Sequence, residues 1–439
     1  MTQPALDLRR ALPDFFVGES PLFIARAPGR LDVMGGIADY SGARVLELPL
    51  ACTTTACVQG QERLRCDIAS LRQGRCDRFS VDLPLAPAAE LAAWFWKHVV
   101  DRWASYVVGV VEALLARTGR VQGLKIVIDS TVPEGRGVAS SAALEVASAS
   151  AVAACCDIAI SPQELAVLCQ RVENDVVGAP CGIMDQMTSA CGRKDRLLQL
   201  RCQPGTIEGF VQIPPGYRFY GIDSGISHAV SGADYGTVRT AAFMGHRILT
   251  VDTAWRGKYL ADLTPVMFAE LGGALAEEIS GADFLERYGG ITDTATTVDP
   301  GRRYPVRRAA QHPVDEQARV DRFAELLGAL PHQPSVAIEL GELMYGSHQS
   351  YSACGLGSEG TDRLVEMVRS AGSERGLFGA KITGGGSGGT VAVFGTSAAE
   401  SGVRDLAARY ATATGRAARV FAESGPGAAE IGVLRGGHP

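Results

Sequence analysis

Residues able to do chemistry concentrate where glycine does, in three segments. The segment Pro133 to Glu145, PEGRGVASSAALE, lies between a strand-like run and a helix-like run. Such a turn leaves backbone N–H groups free at a helix N-terminus, where an anion binds. Gly135 and Gly137 would let a phosphate approach the backbone, and Ser140 or Ser141 could add a hydroxyl to it or to its magnesium ion. A plain glycine turn capped by serine fits the same residues. A Walker A loop does not, because G-x-x-x-x-G-K-[ST] is absent from the chain. The segment Lys381 to Phe394, KITGGGSGGTVAVF, matches G-x-G-x-x-G through Gly384, Gly386 and Gly389, and G-x-S-x-G through Gly385, Ser387 and Gly389. A run this rich in glycine satisfies many patterns. A strand follows it where a Rossmann unit needs a helix, and His438 is the only later histidine for a nucleophile elbow. A loop packed against another phosphate or sugar site is the better reading. In the segment Ala27 to Leu48, APGRLDVMGGIADYSGARVLEL, Arg30 follows a Pro-Gly turn and Asp39-Tyr40 follow a glycine pair.

These side chains need elements to hold them. LFIARA, Leu22 to Ala27, reads as a strand stopped by Pro28-Gly29, and LKIVID, Leu124 to Asp129, as a second strand feeding the helix from about Ser140. Ser161-Pro162-Gln163-Glu164 predicts a helix start, with Ser161 as N-cap, Pro162 at the first helical position and Glu164 closing a capping box. Residues 1–20 read as a helical lead-in. Further helices are expected near 315–330, 336–347, 360–371 and 398–413, and strands near 218–223, 379–383, 390–395 and 418–422. Strands and helices intermix without a strict βαβ repeat, which favours an α+β fold in two lobes. The turn-rich stretch 202–216 predicts the division, giving domains 1–210 and 211–439. Residues 285–310 read as an exposed insertion or long loop.

Composition narrows the classes. The chain has 439 residues, 46% of them hydrophobic, enough for a sizeable core and too many for global disorder. Its 42 Lys and Arg against 48 Asp and Glu leave a net charge of −6, which argues against a nucleic-acid binder. The 11 cysteines include no C-x-x-C pair, and the adjacent Cys155 and Cys156 read as small core residues. No zinc site is visible, and His228, His246 and His348 have no metal spacing. The start does not read as a signal peptide, and the uncharged run Val146 to Cys156 is too short to span a bilayer. The expectation is a soluble cytoplasmic protein.

In order and spacing, the three segments resemble the GHMP superfamily of small-molecule kinases, on its galactokinase-like side: APGR, then P-x-G-x-G-x-x-S-S-A, then GGG-x-GG. PCGIMDQMTSACG, Pro180 to Gly192, resembles the galactokinase stretch around the catalytic aspartate. Trp103-Ala104-Ser105-Tyr106, followed by Gly109, resembles W-A-x-Y-x-x-G near the adenine pocket. The resemblance implies an N-terminal lobe like ribosomal protein S5 and a ferredoxin-like C-terminal lobe, with the site in the cleft between them. It implies ATP and Mg2+, with Asp185 and Arg30 catalytic. Trp103, Tyr106, Gly135, Gly137, Ser140, Ser141 and Ala142 would face the nucleotide, and Ser141 and Glu173 the metal. Gly36, Ile37, Asp39, Asp223 and Tyr235 would face the sugar. Monomers or weak homo-oligomers are expected, with no nucleic-acid or membrane partner.

One departure is informative. Galactokinases read G-E-H-T-D-Y where this chain has Gly35-Gly36-Ile37-Ala38-Asp39-Tyr40. The Glu and His of that family hold the sugar around its C6 hydroxyl, and an apolar replacement cannot reward that group. L-Arabinose is D-galactose without the C6 group. RLDVMGGIADYSG and GADYGTVR-x-x-AFMG (Gly232 to Gly245) resemble the kinase part of plant L-arabinokinases. Sugar 1-kinase activity on L-arabinose is therefore the expectation. Alternatives are galactose, a uronic acid met by Arg44 or another cation, and a non-catalytic sugar and ATP sensor.

Overall fold

The computed structural model describes residues 11–16, 20–72, 75–119, 121–227 and 233–436. Its strands are β1 (Leu22–Met34), β2 (Arg44–Gln61), β3 (Arg65–Arg72), β4 (Arg75–Asp82), β5 (Gly123–Ser130), β6 (Arg196–Arg201), β7 (Thr206–Gln212), β8 (Tyr217–Asp223), β9 (Ile279–Ser280), β10 (Arg303–Tyr304), β11 (Leu377–Ile382), β12 (Thr390–Thr396), β13 (Val420–Phe421) and β14 (Leu434–Gly436). Its main helices are α1 (Ala88–Lys97), α2 (Ser105–Thr118), α3 (Ser140–Cys155), α4 (Pro162–Val172), α5 (Met184–Cys191), α6 (Ala233–Asp252), α7 (Pro265–Leu271), α8 (Gly281–Tyr288), α9 (Val306–Ala329), α10 (Val336–Ala353), α11 (Glu359–Ala371) and α12 (Glu400–Thr414). None of the described helices is long and apolar enough to cross a membrane.

The first sheet runs β14-β1-β2-β5-β3-β4, with β6 and β7 branching from β2. The long β2 makes this fork: Arg44 to Glu47 pair with β6, whereas Thr54 to Gln61 pair with β5. The second sheet, β11-β12-β8-β13, is antiparallel throughout. The α+β, two-lobed architecture is as expected. Helix α3 packs against β1 and β2. Its many alanines favour helix, and its small side chains keep both faces thin enough for burial. Helix α4 starts at Ser161 with both halves of the capping box formed, a contribution of about 1 kcal/mol.

One apolar cluster that joins the lobes lies under both sheets. Leu31, Leu46, Phe219, Phe323, Leu340 and Phe394, drawn from β1, β2, β8, α9, α10 and β12, pack together and are almost fully buried. This core fixes the two sheets against each other, so side chains from both lobes can converge.

Three expectations change. β1 does not stop at Pro28-Gly29 but continues to Met34, with a register shift between Pro28 and Arg30. A bulge accommodates the missing Pro N–H while Arg30 N–H donates to Val138 O at 3.0 Å. A division at 210/211 falls inside β7; the chain changes sheets at 213–216, and β14 returns to the first sheet beside β1. Residues 285–310 are a long loop only over 289–302, where they are half-buried or exposed. They contain the end of α8, β10 and the start of α9, and Arg239 grips Asp293 through two hydrogen bonds of 2.8 Å. The lead-in over 1–20 lies mostly outside the described residues, as does His228. Cys156 is buried, Cys155 half-buried, and all eleven cysteines are free thiols.

Candidate active site

Arg30 is the hub. Its guanidinium donates to Asp185 Oδ1 through Nε at 2.9 Å and ion-pairs with the same oxygen through Nη2 at 2.7 Å. Its Nη1 donates to the carbonyl of Gly137 at 2.6 Å, and Glu47 lies 3.4 Å from Nε. Burial works against the guanidinium's charge, but the carboxylates of Asp185, Glu47 and Asp32 outweigh it and raise its proton affinity further above the ordinary value, so the cation is permanent. Asp185 stands in the first turn of α5 with part of its side chain exposed. One cation thus ties a carboxylate to the glycine-rich loop 133–139.

That loop ends in an anion-ready helix start. Ala139 takes a left-handed conformation (φ 58°, ψ 49°) and gives α3 no side-chain cap. The first N–H groups of α3, from Ser140, Ser141 and Ala142, therefore carry the positive end of the helix dipole without a capping oxygen. Gly135 and Gly137 flank Arg136, with φ of 65° and 68°. The third glycine segment backs this loop: Thr390 Oγ1 donates to Arg136 O at 2.8 Å.

Behind the helix start lies an acidic pair. Glu173 opens a π-helical turn, Glu173–Val177, directly after α4. Gln186 Nε2 donates to Glu173 Oε2 at 2.6 Å and to Glu145 Oε2 at 3.2 Å. Burial pushes Glu173 up to about 7 despite hydrogen bonding from Ser141, and pushes Glu145 well above the carboxylate range. Glu145 Oε1 has no hydrogen-bond partner among the described residues. Burial beside these carboxylates also raises the Tyr106 hydroxyl, which places Tyr106 near Glu173. No described cluster of three or more His, Cys, Asp or Glu forms a complete metal site. One hydroxyl and one carboxylate, hydrogen-bonded to each other, suit a magnesium ion that takes its remaining oxygens from phosphate and water.

The opposite side of the site is built on the 3₁₀ segment Gly36–Ser41. Asp39 is 2% exposed, and its Oδ1 has no partner among the described residues. Burial, opposed by the Arg239 charge and reinforced by Asp185, lifts it to about 7. Gly182 lies so close that a Cβ there would fall 1.6 Å from Asp39 Oδ2, so that position must be glycine. Tyr235 stacks edge-on against Tyr40 at 5.9 Å, and the Arg239 guanidinium lies 5.6 Å from the Tyr40 ring centroid. Arg239 Nη1 is left without a partner among the described residues.

Most of the expected residues converge, and some do not serve as expected. Ile37, expected to face the sugar, is fully buried in a core cluster with Tyr40, Tyr351 and Leu356. Gly36 has no room for a side chain, because a Cβ there would fall 1.5 Å from Tyr351 Oη. Asp223 ion-pairs with Arg136 of the phosphate loop at 3.5 Å and accepts from Gly225 N–H at 2.8 Å, on the loop's side rather than beside Asp39. Trp103 packs on the rim of the N-terminal core near Tyr106. His246 and His348 bond Gly257 O and Asp362, a structural use. Arg44 is tied to Glu208 and Asp321, away from Asp39. Sequence reasoning missed Asp32, Glu47, Glu145, Gln186, Arg239, Tyr351 and the Asp32–Lys381 pair. Asp32 was the most findable, being two residues from Arg30 on a strand and so on the same face.

Comparison with known proteins agrees with this geometry. The chain matches the models for the GHMP kinases N terminal domain over 105–193, the GHMP kinases C terminal over 327–412 and the galactokinase galactose-binding signature over 14–59. It is 40% identical to an L-arabinokinase of Arabidopsis thaliana, across 97% of this chain but only 48% of that protein, so it spans about half the length of that relative. It is 30% identical to a galactokinase of Chloroflexus aggregans across 91% of both. The fold matches that of Lactococcus lactis galactokinase complexed with galactose, with a TM-score of 0.77 at 20% identity, covering 98% and 99% of the two chains. A mevalonate kinase of Methanococcus jannaschii matches less closely, with a TM-score of 0.56 at 16% identity over 91% and 97%. With its two lobes meeting at Arg30, Asp185 and the phosphate loop, the chain belongs to the GHMP kinases, on their galactokinase-like branch.

Proposed function

We propose that this chain is an ATP-dependent sugar 1-kinase that converts L-arabinose to L-arabinose 1-phosphate. The observation that carries the kinase reading is the Arg30 guanidinium held between Asp185 and the Gly137 carbonyl. It links the group that would meet a hydroxyl to the loop that would hold the phosphates. In the reaction Asp185 orients the anomeric hydroxyl and receives its proton as the oxygen attacks the γ-phosphorus and the bond to ADP breaks. Arg30 offsets the charge that develops on the transferring group, and the N–H groups of α3 hold the phosphates. Ser141 and Glu173 would hold Mg2+, which would neutralise phosphate charge. Asp39, Tyr235 and Arg239 would orient the ring hydroxyls.

The choice of sugar rests on the 3₁₀ segment. No polar side chain stands at positions 36 and 37 to meet a C6 hydroxyl, so a hydroxymethyl group gains no partner there. The similarity to a protein named L-arabinokinase supports this choice, and similarity to one named galactokinase keeps galactose as the second reading. The free thiols suit a reducing cytoplasm. An ADP-release assay with Mg·ATP and a panel of L-arabinose, D-galactose and D-galacturonate tests this. The expected result is the highest kcat/KM with L-arabinose. Faster turnover of galactose overturns the sugar, and binding without turnover of any sugar favours a sensor.

A further inference from the structure

The Tyr351 hydroxyl occupies the volume that any side chain at position 36 would need. A Cβ built on Gly36 falls 1.5 Å from Tyr351 Oη and 2.7 Å from both Tyr351 Cζ and Asp32 Oδ2. Tyr351 has nowhere to withdraw. It is fully buried, edge-on to His312 at 5.3 Å, with Lys381 Nζ 5.1 Å from its ring centroid. Its hydroxyl is also fully engaged. It accepts from Ile37 N–H at 2.8 Å, donates to Gly384 O at 3.1 Å and lies 3.4 Å from Asp32 Oδ2. The ring thus pins the segment carrying Asp39 to the third glycine segment. The backbone at Gly36 agrees, with φ at +45° in the left-handed region that favours glycine.

We propose that Tyr351 is a specificity-determining positioning residue, matched to Gly36. It fills the place where a side chain at 36 could reach a substituent on C5 of the sugar, and it holds Ile37 and Asp39 in register for a sugar lacking that substituent. This rests on the kinase reading above. It also explains why a polar residue placed at 36 alone would fail: the space is taken, not vacant.

A double-mutant cycle tests the pair. Gly36→Glu alone is expected to lower kcat/KM for L-arabinose by at least tenfold and to lower the unfolding temperature. Tyr351→Leu keeps an apolar body but vacates the hydroxyl and the ring tip. Combined with Gly36→Glu, it is expected to restore folding and to raise the galactose-to-arabinose ratio of kcat/KM at least tenfold, mainly through KM. Effects that merely add, or a ratio that stays at the wild-type value, overturn the proposal. If the double variant does not fold, Tyr351→Phe decides. It keeps the ring but leaves Ile37 N–H unpaired, and it should raise KM for L-arabinose several-fold with kcat nearly unchanged. An unchanged KM overturns the proposal. Wild-type enzyme that turns over no sugar sinks the kinase reading itself, a result separate from turnover with an unaltered ratio.

Discussion

Arg30 and Asp32 stand two residues apart on β1, and each holds one end of an ion pair, yet the pairs differ in kind. Asp32 and Lys381 are both fully buried, 2.7 Å apart. Asp32 also accepts from the N–H groups of Gly36 at 3.1 Å and Gly384 at 3.2 Å. That carboxylate is saturated, and it joins the first lobe to the second. Asp185 is 21% exposed and accepts from Arg30 on a single oxygen. Among the described residues no other hydrogen bond holds that carboxylate. A carboxylate whose acceptor sites are filled by protein is a clamp, whereas one held on one side only is available to a substrate proton.

Asp185→Asn tests this contrast where the largest effect is expected. It keeps the shape and removes the proton acceptor, so kcat should fall by about 10²–10⁴-fold, the range for a general base. Its unfolding midpoint should stay close to wild type; the measurement pairs ADP release with chemical denaturation. Turnover at the wild-type rate would take Asp185 out of the mechanism. Lys381→Met should invert the pattern. Leaving Asp32 buried and unpaired should cost about 3–5 kcal/mol of stability, while the molecules that remain folded keep most of their turnover. A melting curve unchanged by that substitution would show that the pair is not a clamp.

The contrast also marks what was legible in the sequence. Arg30, Asp185, Glu173 and the loop from Gly135 to Ser141 sit in short motifs whose spacing is local, so order along the chain revealed them. Partners distant in sequence were not legible. Lys381 lies 349 residues from Asp32, and Tyr351 lies 315 from Gly36; only packing between the lobes brings them together. Asp223 misled because a strand end near the cleft has two sides, and only the fold reveals that it faces Arg136. The strand break expected at Pro28-Gly29 failed because a bulge and a tertiary bond to Val138 O outweighed turn propensity. The stretch 285–310 is a loop over 289–302, as its polar residues suggest, but its ends are a helix and a strand, and the Asp293 side chain is buried against Arg239.

A smaller effect separates the metal side from the clamp by pH. Glu173 and Asp39 are held near 7 by burial, far above ordinary carboxylates. Between about pH 4 and 7 the folded chain holds protons that the unfolded chain has lost, so their contribution to stability declines as pH rises through that window. Magnesium needs Glu173 ionised, so its apparent affinity should fall up to tenfold per unit below pH 7. The rise in unfolding temperature on adding Mg·ATP should therefore be larger at pH 8 than at pH 6. Glu173→Gln should reduce that difference. Equal shifts at both pH values would exclude Glu173 from the metal site.

The smallest effect belongs to Arg44, the cation that a uronic-acid substrate would have required. Arg44 lies between Glu208 and Asp321, on β7 and α9, and its backbone N–H donates to Gln317 Oε1 at 2.8 Å. Its charge is already matched by two carboxylates, and Asp321 is half exposed to water. Such partly solvated pairs contribute about 0–1 kcal/mol. Arg44→Gln should therefore change stability by no more than that, and should leave KM for L-arabinose and for D-galacturonate where they were. Arg44 is a cation whose charge is taken up by two carboxylates of β7 and α9, away from Asp39. A selective rise in KM for the uronate would reverse that conclusion and place a carboxylate-bearing sugar on this side of β2.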